Sequence, residues 1–190
     1  MTCDASDSHG NTSTASFVVS VGDTTPPELT APASVVANAT WKGGAAVTFD
    51  VAGADTAGGD VATSCAPASG SVFAIGTTSV TCTATDARGN STSRSFDVNV
   101  KGAVVQLEDL LVVVTSWHIP GHLIEIRTRG PHWSLTQTPP KVNLACQQIR
   151  DFEAALGGTL GAPLTPERLA WLLGELGRIY NVIGCAPVTS

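Results

Sequence analysis

Two stretches of this 190-residue chain repeat each other and decide its fold. Residues 2–21 read TCDASDSHGNTSTASFVVSV, and residues 81–100 read TCTATDARGNSTSRSFDVNV. They align without a gap, and the identical pairs are Thr2/Thr81, Cys3/Cys82, Ala5/Ala84, Asp7/Asp86, Gly10/Gly89, Asn11/Asn90, Ser16/Ser95, Phe17/Phe96, Val19/Val98 and Val21/Val100. The spacing of 79 residues, from position 2 to position 81, suits one small β-sandwich.

The repeated stretch has the pattern of a β-hairpin. Val80, Cys82 and Ala84 alternate with threonines, which is the period of two expected of a half-buried strand. Residues 86–90 supply glycine and asparagine for a turn, and apolar alternation resumes after them. A further alternating run at residues 47–51 predicts another strand.

The first copy of the repeat contains only its final hairpin. On the same period, about three quarters of that copy would lie upstream of Met1. Residues 2–7 are mostly polar and lack the basic start and apolar core of a signal peptide. We therefore expect residues 1–22 to be the C-terminal hairpin of a truncated repeat, in a fragment or a mis-started reading frame.

The composition argues against two classes of partner. The formal net charge is -6 and only 14% of residues are charged, whereas nucleic-acid binders usually present a basic face. The longest apolar stretch, around residues 110–114, is far shorter than the ~20 residues of a membrane span. We expect no nucleic-acid partner and no membrane insertion.

Several spaced motifs occur in order between residues 23 and 100. They are Asp23-x-x-Pro26-Pro27, Ser69-Gly70-Ser71-x-Phe73-x-x-Gly76-Thr77-Thr78-x-Val80, Thr83-Ala84-x-Asp86-x-x-Gly89-Asn90 and the final Phe96-x-Val98. In these motifs the chain resembles the hyalin repeat (HYR) family, which implies an immunoglobulin-like β-sandwich at residues 23–101. The resemblance also implies a role in adhesion or as a spacer, without catalysis. Many members carry two further cysteines, and the corresponding positions here are Ala31 and Arg94.

The pattern becomes helical after residue 102. Apolar residues recur at helical spacing in three segments: Leu107, Leu110, Leu111 and Val114; Val142, Ala145, Cys146, Ile149, Phe152 and Leu156; and Leu169, Leu172, Leu173, Leu176, Ile179, Tyr180 and Ile183. In the last segment, Thr165 is the predicted N-cap, Pro166 suits the first helical position and Gly184 ends the helix. These features predict a small all-α domain at residues 102–190.

This helical region resembles the FIMAH domain, a C-terminal module of multidomain secreted bacterial proteins. The resemblance rests on Gln106-Leu107-Glu108-Asp109-Leu110, Ala145-Cys146-Gln147-Gln148-Ile149-x-x-Phe152, Leu164-Thr165 and Ile183-Gly184-Cys185. It implies no catalytic residue.

Residues 117–140 depart from the FIMAH family, which would have a second helix there. Their four prolines, two glycines and lack of a helical stripe predict that no long helix forms, and a frame-shifted segment would in addition be mobile. Frame-shifted sequence and a genuine irregular loop both remain open as origins of this segment.

Five cysteines suggest a disulfide framework. Cys65 with Cys82 would close a loop within one sandwich, and Cys146 with Cys185 would staple the helical domain. Cys3 is the repeat equivalent of Cys82, and its partner would lie in the missing part of the first copy. The alternative is buried free thiols. The absence of any CxxC pair or Cys/His doublet argues against zinc.

Other site candidates are weak. His118, His122 and His132 could bind a metal, but proline and glycine interrupt the helix that the i, i+4 spacing needs. No GxSxG elbow supports a hydrolase triad, and we expect no catalytic, metal-binding or cofactor-binding residue.

Four acidic residues are possible calcium ligands: Asp50, Asp55, Asp60 and Asp86. They lack EF-hand spacing, and solvated turn residues are the better interpretation.

The favoured function is a non-catalytic structural or adhesive module of a secreted or cell-surface bacterial protein. The sandwich would act as a spacer and the helical domain as a C-terminal cap, with a protein or carbohydrate surface as partner and no cofactor. One alternative is the non-catalytic tail of a larger secreted protease or glycosidase. Another is a carbohydrate- or protein-binding domain, for which only Trp41 is a candidate aromatic contact, because Phe49, Phe73 and Phe96 occupy core positions of the pattern.

Overall fold

A hairpin of two long strands is the centre of the principal sheet. This computed structural model describes residues 1–56, 58–117, 123–157 and 164–185, and it describes residues 123–128 by their backbone only. The strand β9 (Gly76–Thr85) pairs antiparallel with β10 (Ser91–Lys101). The strand β7 (Ala62–Ala66) pairs antiparallel with the free edge of β9, and β4 (Ser34–Asn38) runs parallel to β10. The strand order is therefore β4-β10-β9-β7.

Two short strand pairs cover the apolar face of this sheet. They are β3 (Glu28–Thr30) with β6 (Ala52–Ala54) and β5 (Ala45–Ala46) with β8 (Val72–Phe73). Their buried side chains share one core with Val80, Cys82 and Ala84, each fully buried as the alternation predicts. The predicted β-rich fold of this region is confirmed.

Three phenylalanines form the aromatic centre of this core. The Phe49 ring packs edge-on against Phe96 at a centroid distance of 5.0 Å and against Phe73 at 6.4 Å. All three rings are buried, as their positions in the pattern predict. Edge-to-face pairs of this kind add to the free energy of burial.

The prediction of a strand at residues 47–51 is wrong, although Val47 and Phe49 are buried as the pattern indicates. Their backbone bonds to an irregular loop: Gly70 N–H donates to the Val47 carbonyl at 2.8 Å. The Ser69 hydroxyl bridges both the N–H and the carbonyl of Phe49, each at 2.8 Å. The alternation therefore identified the buried face, while the hydrogen-bonding partner is a loop and not a strand.

The N-terminal hairpin consists of β1 (Thr2–Ser6) and β2 (Thr12–Ser16) in a two-stranded sheet of its own. Its register is that of the β9–β10 hairpin, because Thr2 pairs with Ser16 as Thr81 pairs with Ser95. The strand β2 ends at Ser16, and residues 17–21 follow it without strand structure.

Four helices follow the sandwich in the described part of the chain: α1 (Ala103–Ser116), α2 (Leu123–Thr136), α3 (Val142–Leu156) and α4 (Pro166–Ile183). Their core contains Leu107, Leu110, Val114, Ile149, Phe152, Leu156, Leu164, Leu172, Leu176 and Ile179. The caps of α4 are as predicted: the Thr165 side chain accepts from Arg168 N–H, and Gly184 adopts a φ of 83°. None of the described helices has the length and apolar character that crossing a bilayer requires.

The helix α2 corrects the expectation for residues 117–140. Residues 123–136 are helical despite Pro131 inside the helix. Neighbouring helices hold this segment: the Ser134 hydroxyl is buried and donates to Gln148 Oε1 at 2.7 Å, and His132 Nε2 lies 2.9 Å from Glu108 Oε1. The expectation that proline and glycine prevent a long helix here is therefore wrong, because contacts with α1 and α3 override local propensity.

Candidate functional site

The predicted disulfide pairs are both present. Cys65 bonds Cys82 across β7 and β9, and Cys146 on α3 bonds Cys185 just after α4. Cys3 is exposed and is a free thiol. The first bond ties two strands of the sandwich together, and the second ties two helices, so each cross-link stays within one half of the chain.

An aspartate at the β9–β10 turn organises one end of the sandwich. Asp86 Oδ1 accepts from the backbone N–H groups of Arg88 and Asn90, each at 2.8 Å, and Oδ2 accepts from the Asn90 side chain at 2.8 Å. Desolvation raises the pKa of Asp86, but the hydrogen bonds from Asn90, Arg88 and Gly89 together outweigh it and hold the pKa below its ordinary value of 3.8. This carboxylate therefore braces the hairpin turn.

Two further aspartates lie beside Asp86. One carboxylate oxygen each of Asp23, Asp55 and Asp86 lies within 4.8 Å of the others. Sequence reasoning named Asp55 and Asp86 but missed Asp23, and Asp50 and Asp60 are not in this group. The connection of Asp23 to the turn is a hydrogen bond from Asn90 Nδ2 to the Asp23 carbonyl at 3.3 Å.

The chemistry of this acidic group suits a hard cation, which prefers carboxylate oxygens. However, both oxygens of Asp86 already accept hydrogen bonds within the turn, and Asp23 Oδ1 accepts from Thr25 N–H at 2.9 Å. These bonds account for the positions of Asp23 and Asp86 without a metal ion.

The opposite end of the sandwich meets the helices through Gln106. This side chain is only 2% exposed and lies in the first turns of α1. Its Nε2 donates to the carbonyl of Ala39 at 3.1 Å and to that of Lys101 at 2.6 Å, and its Oε1 accepts from Arg178 on α4. One buried amide thus bonds to two backbone carbonyls of the sandwich and to the last helix.

Apolar contacts continue across the same boundary. Val182 of α4 is 4% exposed and belongs to the core of the sandwich, not to that of the helices. Ala103 packs against both cores. Nearby, Lys101 Nζ forms an ion pair of 2.7 Å with Asp109 Oδ2. We call the set Ala39, Lys101, Gln106, Arg178 and Val182 the interdomain joint.

Sequence reasoning missed the interdomain joint. The predicted buried stripe of α4 included Tyr180 and Ile183, and both contact the helical core. It did not include Val182, which is buried in the core of the sandwich. A signal was available for Gln106, because a polar residue stands on the apolar stripe that contains Leu107, Leu110 and Val114.

The remaining candidate residues form no site in the described part of the chain. His132 lies against Glu108, while His118 and His122 are outside the described residues. Trp41 is 47% exposed, but its ring covers Gly43, where an added Cβ would overlap it. A single, partly exposed ring that packs against its own turn provides little surface for stacking against a sugar.

Comparison with known families agrees with the geometry of the sandwich. The family model of the HYR domain matches residues 22–100. The HYR domain is a non-catalytic, adhesion-type extracellular module. This match confirms the HYR resemblance for the sandwich, and it ends at residue 100, one residue before the end of β10 and three before the start of α1. No curated protein matches the chain significantly.

Proposed function

We propose that the chain is a non-catalytic structural or adhesive module of a secreted or cell-surface bacterial protein. In this proposal, residues 23–101 form an HYR spacer, residues 102–190 form a FIMAH-like helical cap, and residues 1–22 form the final hairpin of another repeat. The observation that carries the proposal is the interdomain joint, because a spacer that presents a cap in a fixed direction needs a stiff connection.

The chemistry of the joint supports a stiff connection. Only Gly102 separates the end of β10 from the start of α1. The amide of Gln106 fixes the orientation of α1 through directional bonds, and Val182 adds apolar burial at the far end of α4. A flexible linker would instead be longer and free of buried contacts.

The outer face of the main sheet is consistent with a spacer. Hydroxyls face each other across β9 and β10, with Thr81 and Ser95 at 2.9 Å and Thr83 and Ser93 at 2.8 Å. Such a face is polar, as suits a spacer that is in contact with water.

Relaxation of backbone ¹⁵N nuclei tests the proposal. We expect the sandwich and the helices to tumble with one rotational correlation time. Two clearly different correlation times would show a flexible connection and would overturn the spacer-and-cap proposal.

Adhesion itself is tested by binding of the immobilised chain to extracellular matrix proteins and to a glycan array. We expect protein binding that persists in Trp41→Ala. Glycan binding that Trp41→Ala abolishes would favour a carbohydrate-binding function instead.

A further inference from the structure

A small cavity lies between α1 and α4, where both helices meet the sandwich. Its volume is about 250 Å³, which is below the roughly 300–1,000 Å³ of sites for drug-sized ligands. Each helix lines it with residues spaced three or four apart, which share one side of a helix. These residues are Asp109 and Val113 of α1 and Trp171, Glu175 and Arg178 of α4, and Asn38 at the end of β4 completes the wall. The cavity therefore suits a ligand group of about one ring.

Trp171 is the aromatic wall of this cavity. It is 42% exposed, although Leu172 and Leu176 on the same helix are fully buried. Its ring packs edge-to-face against Trp117 at a centroid distance of 5.7 Å, and the Arg168 guanidinium lies over the Trp117 ring at 5.1 Å. Because these contacts already hold the Trp171 ring, little side-chain entropy is lost when a ligand stacks on it.

The polar groups of the cavity have hydrogen-bonding capacity left. Asp109 uses Oδ2 for Lys101, and Glu175 uses Oε2 for Arg178. Within the described ranges, each of these carboxylates keeps a second oxygen that accepts no hydrogen bond. The Asn38 side chain is exposed, and its amide both donates and accepts. Two acceptor oxygens and one amide thus surround the indole ring.

The charge of the cavity favours a neutral ligand. Lys101 lies 2.7 Å from Asp109, and Arg178 is paired with Glu175, so both carboxylates are already compensated. A cationic ligand gains less from a compensated carboxylate, and an anionic ligand is repelled by its free oxygen. A neutral sugar ring supplies O–H donors for the acceptor oxygens and an apolar C–H face for the indole ring and Val113.

We propose that the cavity between α1 and α4 binds a single neutral sugar unit, such as the terminal residue of a glycan. Trp171 stacks on its apolar face, Asp109 and Glu175 accept from its hydroxyls, and the Asn38 amide bonds to a hydroxyl at the rim. The site rests on the rigid interdomain joint, because Asn38 belongs to the sandwich. It goes beyond the spacer-and-cap function, since it gives the helical part a ligand of its own without the use of Trp41.

Titration of the full chain with the methyl glycosides of glucose, galactose, mannose and N-acetylglucosamine tests the proposal, with the indole N–H resonances as the readout. We expect at least one glycoside to shift the Trp171 resonance and to bind with a dissociation constant on the order of 1 mM. Trp171→Ala should weaken this binding about tenfold. The matched control Trp133→Ala removes a ring that is 52% exposed on α2 and should leave the binding unchanged.

Two further measurements keep the test independent of folding and of ligand charge. Asp109→Ala changes a side chain that is 53% exposed, so the fold should persist while the affinity falls about fivefold. Titration with L-lysine amide should not shift the Trp171 resonance. No shift with any glycoside, binding that survives both variants, or a shift caused by lysine amide and suppressed by salt would overturn the proposal. None of these outcomes alters the rotational correlation times, which test the spacer-and-cap function separately.

Discussion

Replacing Gln106 by alanine is the most quantitative test of the interdomain joint. The change removes the two bonds that Nε2 donates and the one that Oε1 accepts from Arg178. The Lys101 carbonyl keeps its bond from Ala39 N–H, at 3.0 Å, so the Ala39 carbonyl is the acceptor that loses most. Each hydrogen bond is worth about 1 kcal/mol net, and a buried group left unpaired costs about 1–3 kcal/mol. We expect Gln106→Ala to lower the free energy of unfolding by about 3 kcal/mol.

Urea unfolding measures this loss, with far-UV circular dichroism and tryptophan fluorescence followed together. The matched control is Gln147→Ala, because Gln147 is exposed on α3 and its loss should change stability by less than about 0.5 kcal/mol. A loss from Gln106→Ala of less than about 1 kcal/mol, or one equal to that of the control, would refute the assignment of Gln106 as a stabilising contact between sandwich and helices.

Three further predictions concern single contacts. Val182→Ala should cost about 2 kcal/mol in urea unfolding because it leaves a cavity between the two cores, while Val112→Ala, at an exposed site, should be nearly neutral. Joint replacement of Cys146 and Cys185 by serine opens a loop of 39 residues and should cost about 4 kcal/mol; an unchanged urea midpoint would contradict this. The lowered pKa of Asp86 stabilises the fold above its ordinary pKa of 3.8, and this contribution disappears as the pH falls through the folded value. Asp86→Asn should therefore give a shallower decline of melting temperature between about pH 5 and pH 2, and an unchanged profile would exclude this role.

The strands and caps could be predicted because their signals are local. Every second residue of a strand faces the same side of the sheet. The alternation of Val80, Cys82 and Ala84 therefore predicted a buried face, although the sequence does not show which element packs against it. The end signals of α4 are equally local, since Thr165 caps the backbone three residues ahead and Gly184 supplies the left-handed conformation.

The helix α2 could not be predicted because its support is not local. Proline lacks the N–H that a helix interior needs, and no apolar stripe marks residues 117–140. The segment packs through the bond from Ser134 to α3 and through Leu135, which lies against the helical core. Gly130 also allows a close approach, since an added Cβ would lie 3.2 Å from Gln148 Nε2. Such contacts depend on the positions of α1 and α3, which no single segment encodes.

The N-terminal hairpin shows that a strand pattern alone does not predict burial. Its sequence carries the full signal of a buried strand, and the matching residues of the second copy are indeed buried. Nevertheless, β2 ends at Ser16, and Phe17 and Val19 are exposed. The alternating pattern shows which side chains of a strand can be buried, but a second element must pack against them to bury them. The same holds for Val182 in the interdomain joint. Its position on α4 follows from the helical pattern, but its burial follows from contact with the core of the sandwich. Burial in this chain is therefore a property of pairs of elements.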